Sequence, residues 1–301
     1  MRTTQLLVGL VSAATLGAHG LRVIQSNDDG WAELYVRSFH DALLASGHNA
    51  VLSGPAENRS GTGSTDSEPS PRTSPCQYDS CVPSSAPIGT NLTSPRLNWV
   101  NSFPVTAMRY GISTIGPQLW HGAAPDLAVA GPNVGSNLYL QVHFSGTVGA
   151  AVYAAKTARI PAIAFSGASS GTLAWNTNPV PVRSTVYAQL ATKLVNALTA
   201  GGKPYLPEDV WLNVNFPEVN EECNQVGDFK WVLSRINVGV FSQPDAQICG
   251  KTRLPTETEV ILKKGCYVSV SVGDAADKST ADAERQAVVA RRLTRLLECL
   301  P

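Results

Sequence analysis

The first distinct feature of the chain is a short apolar run, residues 21–25, followed at once by the polar sequence SNDDG. The run is short and partly β-branched, which is typical of a buried strand at the start of an α/β domain. Residues 31–46 then carry apolar side chains on one helical face, and Gly47 suits the end of a helix. A second short run, residues 50–53, completes a predicted β-α-β unit, so its two strands are expected to be parallel with adjacent carboxyl ends.

The middle of the chain repeats this alternation. Residues 126–130 and 160–165 are apolar runs that predict core strands, and residues 148–159 and 183–200 predict helices. The 148–159 helix consists mostly of Ala, Val and Gly, so it can pack closely against a sheet. We therefore predict an α/β fold, Rossmann-like and doubly wound, with a mostly parallel sheet.

The last third of the chain predicts more strand than helix. The expected elements are strands at 210–216, 231–241 and 266–272 and a final helix at 281–300. We interpret residues 206–301 as a β-rich C-terminal extension of an α/β core at residues 19–205. Such an appendage would suit the pairing of subunits in a homodimer or a higher homo-oligomer.

A long segment between the second and third predicted strands has no periodicity. Residues 65–98 are rich in Ser, Pro and Thr, and structureless loops of this length in a compact domain are usually functional or disordered. Two interpretations stay open, a lid over the functional site and a plain insertion.

The N-terminus and the cysteines indicate export. Arg2 precedes an apolar stretch at residues 6–16 that is too short to span a bilayer, and Gly17 and Ala18 are small, as in a secretory signal peptide cut near Ala18. No second hydrophobic segment is long enough to anchor the product, so a secreted protein is expected. An even number of cysteines in a secreted chain favours disulfides. The expected pairs are Cys76–Cys81, Cys223–Cys249 and Cys266–Cys299.

The charge balance limits the partners. Lys plus Arg number 23 and Asp plus Glu number 23, so no wide basic field would attract a nucleic acid polymer or an anionic membrane. Asn91 begins a sequon, Asn-Leu-Thr, in a predicted exposed loop and is the expected glycosylation site. Asn58 begins a second sequon, which we expect to be unavailable because its loop lies at a buried edge of the site.

Oxygen ligands follow three strands of the predicted sheet. Asp28 and Asp29 follow the first strand, Ser60 follows the second, and Asn133 follows the strand at 126–130. Because the carboxyl ends of parallel strands meet at one edge, these side chains are expected to converge. Two carboxylates, a hydroxyl and an amide oxygen suit Mg²⁺ or Mn²⁺, with Ca²⁺ as a further option. A plain surface turn is the alternative interpretation of the acidic pair.

A candidate phosphate site follows the same strand. Ser145 and Thr147 precede the helix of small residues, whose free N–H groups could bind an anion, although Ser145 as a simple N-cap is an equal alternative. His143 lies two residues before Ser145 and could contact a leaving group, which makes it a further but weaker catalytic candidate. A serine-nucleophile hydrolase is disfavoured, since no G-x-S-x-G elbow surrounds Ser145.

Several ordered motifs resemble those of the SurE family of metal-dependent nucleotidases and phosphatases. They are SNDDG, NRSGTGS, PDLAVAGPNVGSN and FSGTVGAA followed by IPAIAFS, within residues 21–167. The resemblance implies that Asp28, Asp29, Ser60 and Asn133 are the metal ligands. It also places the phosphate on Asn137, Ser145, Gly146 and Thr147. In the mechanism that the resemblance implies, a bound metal would supply Lewis-acid chemistry to the phosphate ester and to a water, and a carboxylate of the catalytic pair Asp28 and Asp29 would act as general base.

Two departures from the family pattern leave the substrate open. The usual GIN sequence is Gly131-Pro132-Asn133 here, and the segment at 102–107 lacks the acidic residue of the family's GTPADC. The long insertion and the export signal indicate a secreted eukaryotic, fungal-type branch. The expected function is a phosphomonoesterase acting on nucleoside monophosphates or on broader organic phosphates. The competing hypothesis is a binding module that recognises a nucleotide or glycan without turnover.

Overall fold

A single mixed β-sheet runs through the computed structural model, which describes residues 20–301. The predicted signal peptide, residues 1–18, lies outside the described residues. The strands are β1 Arg22–Ser26, β2 Asn49–Pro55, β3 Ile88–Asn91, β4 Ser94–Val100, β5 Leu127–Val134, β6 Ala162–Gly167, β7 Val210–Phe216, β8 Lys230–Ser234 and β9 Tyr267–Asp274. Their order across the sheet is β3-β4-β2-β1-β5-β6-β7-β9-β8.

Helices cover both faces of this sheet. They are α1 Leu34–Ala45, α2 Pro104–Tyr110, α3 Gly116–Leu119, α4 Gln141–Phe144, α5 Gly146–Lys156, α6 Val182–Thr199, α7 Glu257–Leu262 and α8 Ala283–Arg292. Side chains of α1 and α6 share one apolar core with the sheet, and those of α2 and α5 share the core on the other face. The predicted doubly wound α/β fold is confirmed.

The parallel register brings the ends of the central strands to one edge. Strand β1 pairs in parallel with β2 and with β5, and Ser26 is level with Ala130. Within β1 every residue after Arg22 is buried, as expected for a central strand covered on both faces. The loops that follow β1, β2 and β5 therefore leave the sheet side by side.

The C-terminal strands extend the same sheet. Strand β7 is parallel to β6, β9 is antiparallel to β7, and β8 is parallel to β9. The β-rich C-terminal part predicted from the sequence is thus continuous with the parallel strands through β7.

Two predicted elements are shorter in the structure than the sequence indicates. The strand expected over residues 231–241 ends at Ser234, because the main-chain N–H of Arg235 turns to the carbonyl of Pro255. The helix expected over residues 281–300 ends at Arg292. Beyond it the chain runs along β8, where the N–H of Glu298 donates to the carbonyl of Trp231 (2.7 Å). Tertiary contacts override the local sequence pattern at both positions.

The insertion at residues 65–98 is structured, contrary to the expectation of a stretch without secondary structure. It contains β3 and the beginning of β4. The side chain of Arg72 is 2% exposed, and its guanidinium pairs with Glu57 (2.7 Å) in the loop after β2. The Cys76–Cys81 ring packs in a small apolar cluster with Trp31. The insertion is therefore fixed against the loops that follow β1 and β2.

One of the three predicted disulfides is confirmed and the other two predictions are wrong. Cys76–Cys81 forms as expected, whereas the remaining four cysteines pair as Cys223–Cys266 and Cys249–Cys299. The cause is the antiparallel pairing of β7 with β9. This pairing sets the segment after β7 beside the start of β9, and it leaves Cys249 to meet the C-terminal tail along β8.

Candidate active site

The turn after β1 holds two buried carboxyl groups. Asp28 and Asp29 are each 2% exposed. Inside the turn the Asn27 carboxamide donates to the carbonyl of Gly30 (3.0 Å), and Gly30 has a φ of +101°, a left-handed conformation that favours glycine. A solvent-exposed surface turn, the alternative interpretation of this sequence, is therefore wrong.

Asp28 accepts hydrogen bonds from the N-terminus of α5. The main-chain N–H of Gly146 donates to its Oδ2 (3.0 Å), and the Thr147 hydroxyl donates to its Oδ1 (2.6 Å). The main-chain N–H of Arg59, in the loop after β2, donates to the Asp28 carbonyl (2.6 Å). Elements that follow β2 and β5 thus meet at this one residue.

Asp29 is held by the end of β5 and by the loop that follows β2. The main-chain N–H of Val134 donates to its Oδ2 (2.7 Å), and the Asn58 carboxamide donates to its Oδ1 (3.3 Å). Next to Val134, the Asn133 amide nitrogen donates to the carbonyl of Gly135 (2.6 Å). Among the described residues, the Asn133 amide oxygen accepts no hydrogen bond, so it remains available as a ligand.

No positive side chain neutralises the acidic pair within residues 20–301, where neither aspartate forms an ion pair. Burial raises the pKa of Asp28 despite the hydrogen bonds from Thr147 and Gly146. Burial and then the charge of Asp28 raise the pKa of Asp29 well above its usual range, and the nearby carboxyl of Glu33 adds to that rise. Two buried, adjacent carboxylates without a cationic partner are costly unless a proton or a cation lies between them.

The donor set fits a hard divalent cation. In the described part of the chain, no group of three or more His, Cys, Asp or Glu side chains is placed to hold a metal. The candidate ligands are instead two carboxylates and a free amide oxygen, and oxygen ligands of this kind suit Mg²⁺, Mn²⁺ or Ca²⁺ rather than zinc.

The hydrogen bonds of Ser60 connect it to the acidic pair only indirectly. It is exposed, and its N–H donates to the Asn58 carboxamide oxygen (2.9 Å), which connects it to Asp29 through Asn58. No hydrogen bond joins the Ser60 hydroxyl to either aspartate. Asn58 is itself exposed, although its loop is expected from the sequence to lie at a buried edge. The sequence did not predict its contact with Asp29, because the sequon is the only pattern that marks this residue.

The predicted phosphate-binding residues have distinct environments. Ser145 is the N-cap of α5, and its hydroxyl oxygen accepts from the N–H of Val148 (3.1 Å), which leaves the hydroxyl hydrogen free to donate. Gly146 and Thr147 donate to Asp28, as described above. Asn137 is buried, and its carboxamide donates to the Ser166 hydroxyl (2.8 Å). The structure thus brings Ser145, Gly146 and Thr147 to the acidic pair at one helix N-terminus.

The position of His143 does not support a catalytic role. It is exposed, its ring forms no hydrogen bond with any described residue, and its main-chain carbonyl accepts from the Lys278 ammonium group (3.2 Å). Nothing directs its imidazole toward Asp28 or Asp29.

Comparison with known proteins gives consistent results. Residues 23–238 match the family model described as survival protein SurE. An acid phosphatase of Yarrowia lipolytica is 31% identical over 280 residues, which covers 83% of this chain and 78% of that protein. A 5'-nucleotidase SurE of Lawsonia intracellularis is 28% identical over 200 residues, with 66% and 67% of the two chains covered.

A solved structure shares the fold. The SurE protein from Aquifex aeolicus superposes with a TM-score of 0.59 at 21% identity, over 84% of this chain and 93% of that one. Because 84% of this chain is covered, the shared architecture extends beyond β6.

Proposed function

The chain belongs to the SurE family, and we propose that it is a secreted, divalent-metal-dependent phosphomonoesterase acting on nucleoside monophosphates or other organic phosphate esters. Its enzyme class, phosphoric monoester hydrolase, is that of its relatives named acid phosphatase and 5'-nucleotidase. The observation that carries the metal dependence is the buried pair Asp28 and Asp29, which has hydrogen-bond donors around it but no basic partner.

Asp28, Asp29 and the amide oxygen of Asn133 would hold the cation, with Ser60 completing the set through a water or after a small movement of its loop. When bound, Mg²⁺ or Mn²⁺ supplies Lewis-acid chemistry to the ester and to the attacking water. The hydrogen bonds from Gly146, Thr147 and Val134 keep the two carboxyl groups oriented. A carboxylate of this pair is then placed to accept a proton from water.

The phosphate would lie at the N-terminus of α5. The helix has eleven residues, and its positive end favours an anion beside the cation. Ser145 can donate its hydroxyl hydrogen while it caps the helix, and Asn137 supplies a carboxamide from the preceding loop. Gly146 and Thr147 act on the same region through Asp28.

Secretion is supported by the predicted signal peptide and by three disulfides, which persist in oxidising compartments. No helix among residues 20–301 is long and apolar enough to cross a membrane.

In the β3–β4 turn, Leu92 of the Asn91 sequon is 99% exposed, so this sequon is accessible to glycosylation. Peptide mass spectrometry of secreted protein should find glycan on Asn91 and none on Asn58, because the Asn58 carboxamide is engaged by Asp29 and by the N–H of Ser60.

The deciding experiment is a hydrolysis panel of nucleoside monophosphates and simple phosphate esters, with and without EDTA. We expect activity to disappear on chelation and to return with Mg²⁺ or Mn²⁺. Full activity after dialysis against excess EDTA would refute the metal mechanism. Tight nucleotide binding without turnover would instead favour the binding-module hypothesis.

A further inference from the structure

A buried polar layer lies beneath the loop that joins β5 to α4. Its side chains share one face of the sheet, where Ser166 of β6 is level with Asn215 of β7, and Asn215 is level with Ser269 of β9. Asn213, two residues before Asn215, is level with Ser271. These five side chains are fully buried. Polar groups at such depth need partners, and many of theirs come from the loop above them.

The main chain of Asn137 is held by this layer. The Asn215 carboxamide accepts from the Asn137 N–H (2.8 Å) and donates to the Asn137 carbonyl (3.2 Å). The Asn213 carboxamide donates to the same carbonyl (2.9 Å) and also to Oε1 of Glu257 (2.7 Å). Because both hydrogen bonds use the same Asn213 nitrogen, Glu257 sets the orientation of the amide that holds Asn137.

Glu257 is the first residue of α7 and is fully buried. Its Oε2 is buried and has no hydrogen-bond partner among the described residues. Burial raises its pKa to about 8, against the opposing effects of Asn213, Ser271 and the main chain of Tyr139. A neutral carboxylic acid tolerates an unpartnered oxygen far better than a carboxylate does.

We propose that Glu257 is a positioning residue for the substrate phosphate, acting through Asn213 on the main chain of Asn137. The inference rests on the proposed function, since it takes the Asn137 carboxamide to be a phosphate ligand. It means that the C-terminal part of the chain, through α7 and β7, shapes the active site.

The test compares Glu257→Ala with Glu257→Gln in the metal-loaded enzyme. The control Glu259→Gln removes a charge from an exposed position of the same helix. With p-nitrophenyl phosphate as substrate and inorganic phosphate as competitor, Glu257→Ala should raise KM and the phosphate inhibition constant about tenfold, because the freed Asn213 amide no longer fixes the loop. Its kcat should change much less.

Glu257→Gln should stay near wild type, because its amide oxygen still accepts from Asn213. An unchanged KM in Glu257→Ala would overturn the proposal. A Glu257→Gln variant as impaired as Glu257→Ala would overturn it as well.

Hydrogen exchange on the loop at residues 135–140 provides a readout that does not need turnover. Glu257→Asp, whose side chain is one methylene shorter, should expose these amides to faster exchange than Glu259→Gln does. It also replaces the alanine variant if that protein fails to fold. Equal exchange in the two variants would refute the contact. If the wild-type enzyme hydrolysed no ester, this measurement would still decide whether Glu257 holds the loop.

Discussion

The two buried acidic environments of the molecule differ in the donors that surround them. Asp28 and Asp29 accept hydrogen bonds from two main-chain N–H groups, a hydroxyl and a carboxamide. Glu257 accepts from one carboxamide at hydrogen-bond distance, and its second oxygen has no partner in the described residues. Burial raises the pKa in both places, so the direction of the shift does not distinguish them.

The donors do distinguish them. N–H and O–H groups aimed at a carboxylate stabilise its charged form, which is the form that a cation needs. A buried acid with few donors is more stable when neutral, and a neutral acid is a fixed hydrogen-bonding group. The first environment is therefore suited to metal chemistry and the second to holding a loop.

The largest effect is expected from Asp28→Asn, which halves the charge of the donor-rich site. Because a bound cation contributes several kcal/mol of charge stabilisation, we expect turnover to fall by roughly a hundredfold to a thousandfold. The circular dichroism spectrum should stay unchanged, since the amide can still accept from Thr147. Asp277→Asn, at an exposed loop position, is the matched control. An unfolded Asp28→Asn protein would show instead that the pair is structural.

Thr147→Val tests whether the donors around Asp28 support the metal. The hydroxyl is fully buried and donates to Asp28 (2.6 Å), so its loss should weaken Mn²⁺ binding and lower kcat/KM, each by about tenfold to a hundredfold. Thr147→Ser keeps the hydroxyl and should recover most of both. If calorimetry shows unchanged Mn²⁺ affinity and weaker phosphate binding only, then Thr147 acts on the substrate phosphate and not through Asp28.

Asn58→Ser removes the longest of these hydrogen bonds, at 3.3 Å to Asp29. Since the residue is exposed and the contact is long, we expect Mn²⁺ affinity to fall only about twofold to fivefold. Titration of the apoenzyme with Mn²⁺ measures this directly. A loss as large as that of Thr147→Val would mean that exposed and buried donors contribute equally.

The smallest expected effect is on the pH dependence of the stability, through the buried Glu257. The ordinary pKa of a glutamate is 4.5, and that of folded Glu257 is about 8. Between these values the unfolded chain releases a proton that the folded chain keeps, so Glu257 makes stability fall as pH rises through this window. The Glu257→Gln variant has no titrating carboxyl group at this position. Between about pH 5 and about pH 8 the Tm of wild type should fall with rising pH, and the Tm of Glu257→Gln should fall by a few degrees less. Parallel Tm curves for the two proteins would contradict a neutral Glu257.

Local sequence patterns predicted much of the region that contains the candidate active site. The positions of the acidic pair after the first strand and of Asn133, at the end of a strand that extends to Val134, were predicted from the apolar runs, because such runs end together at one edge of a parallel sheet. Ser145 was identified as a helix start because small residues and a hydroxyl mark an N-terminus. The partners of these residues were not predicted. The Thr147 hydroxyl was expected to face the phosphate and donates to Asp28 instead, and Asn58 was seen only as a sequon.

By itself the sequence determined the order of elements, the fold class and the group of oxygen-bearing side chains at one edge of the sheet, since these depend on periodicity and on residues close together in the chain. Only the tertiary structure decided which cysteines pair, where residues 231–241 leave the sheet, and that Glu257 meets Asn213. The Cys223–Cys266 disulfide and the Asn213–Glu257 hydrogen bond join residues more than forty positions apart, and they depend on β9 running antiparallel to β7. Local periodicity contains no information about that direction, because a strand has the same alternation whichever way it runs.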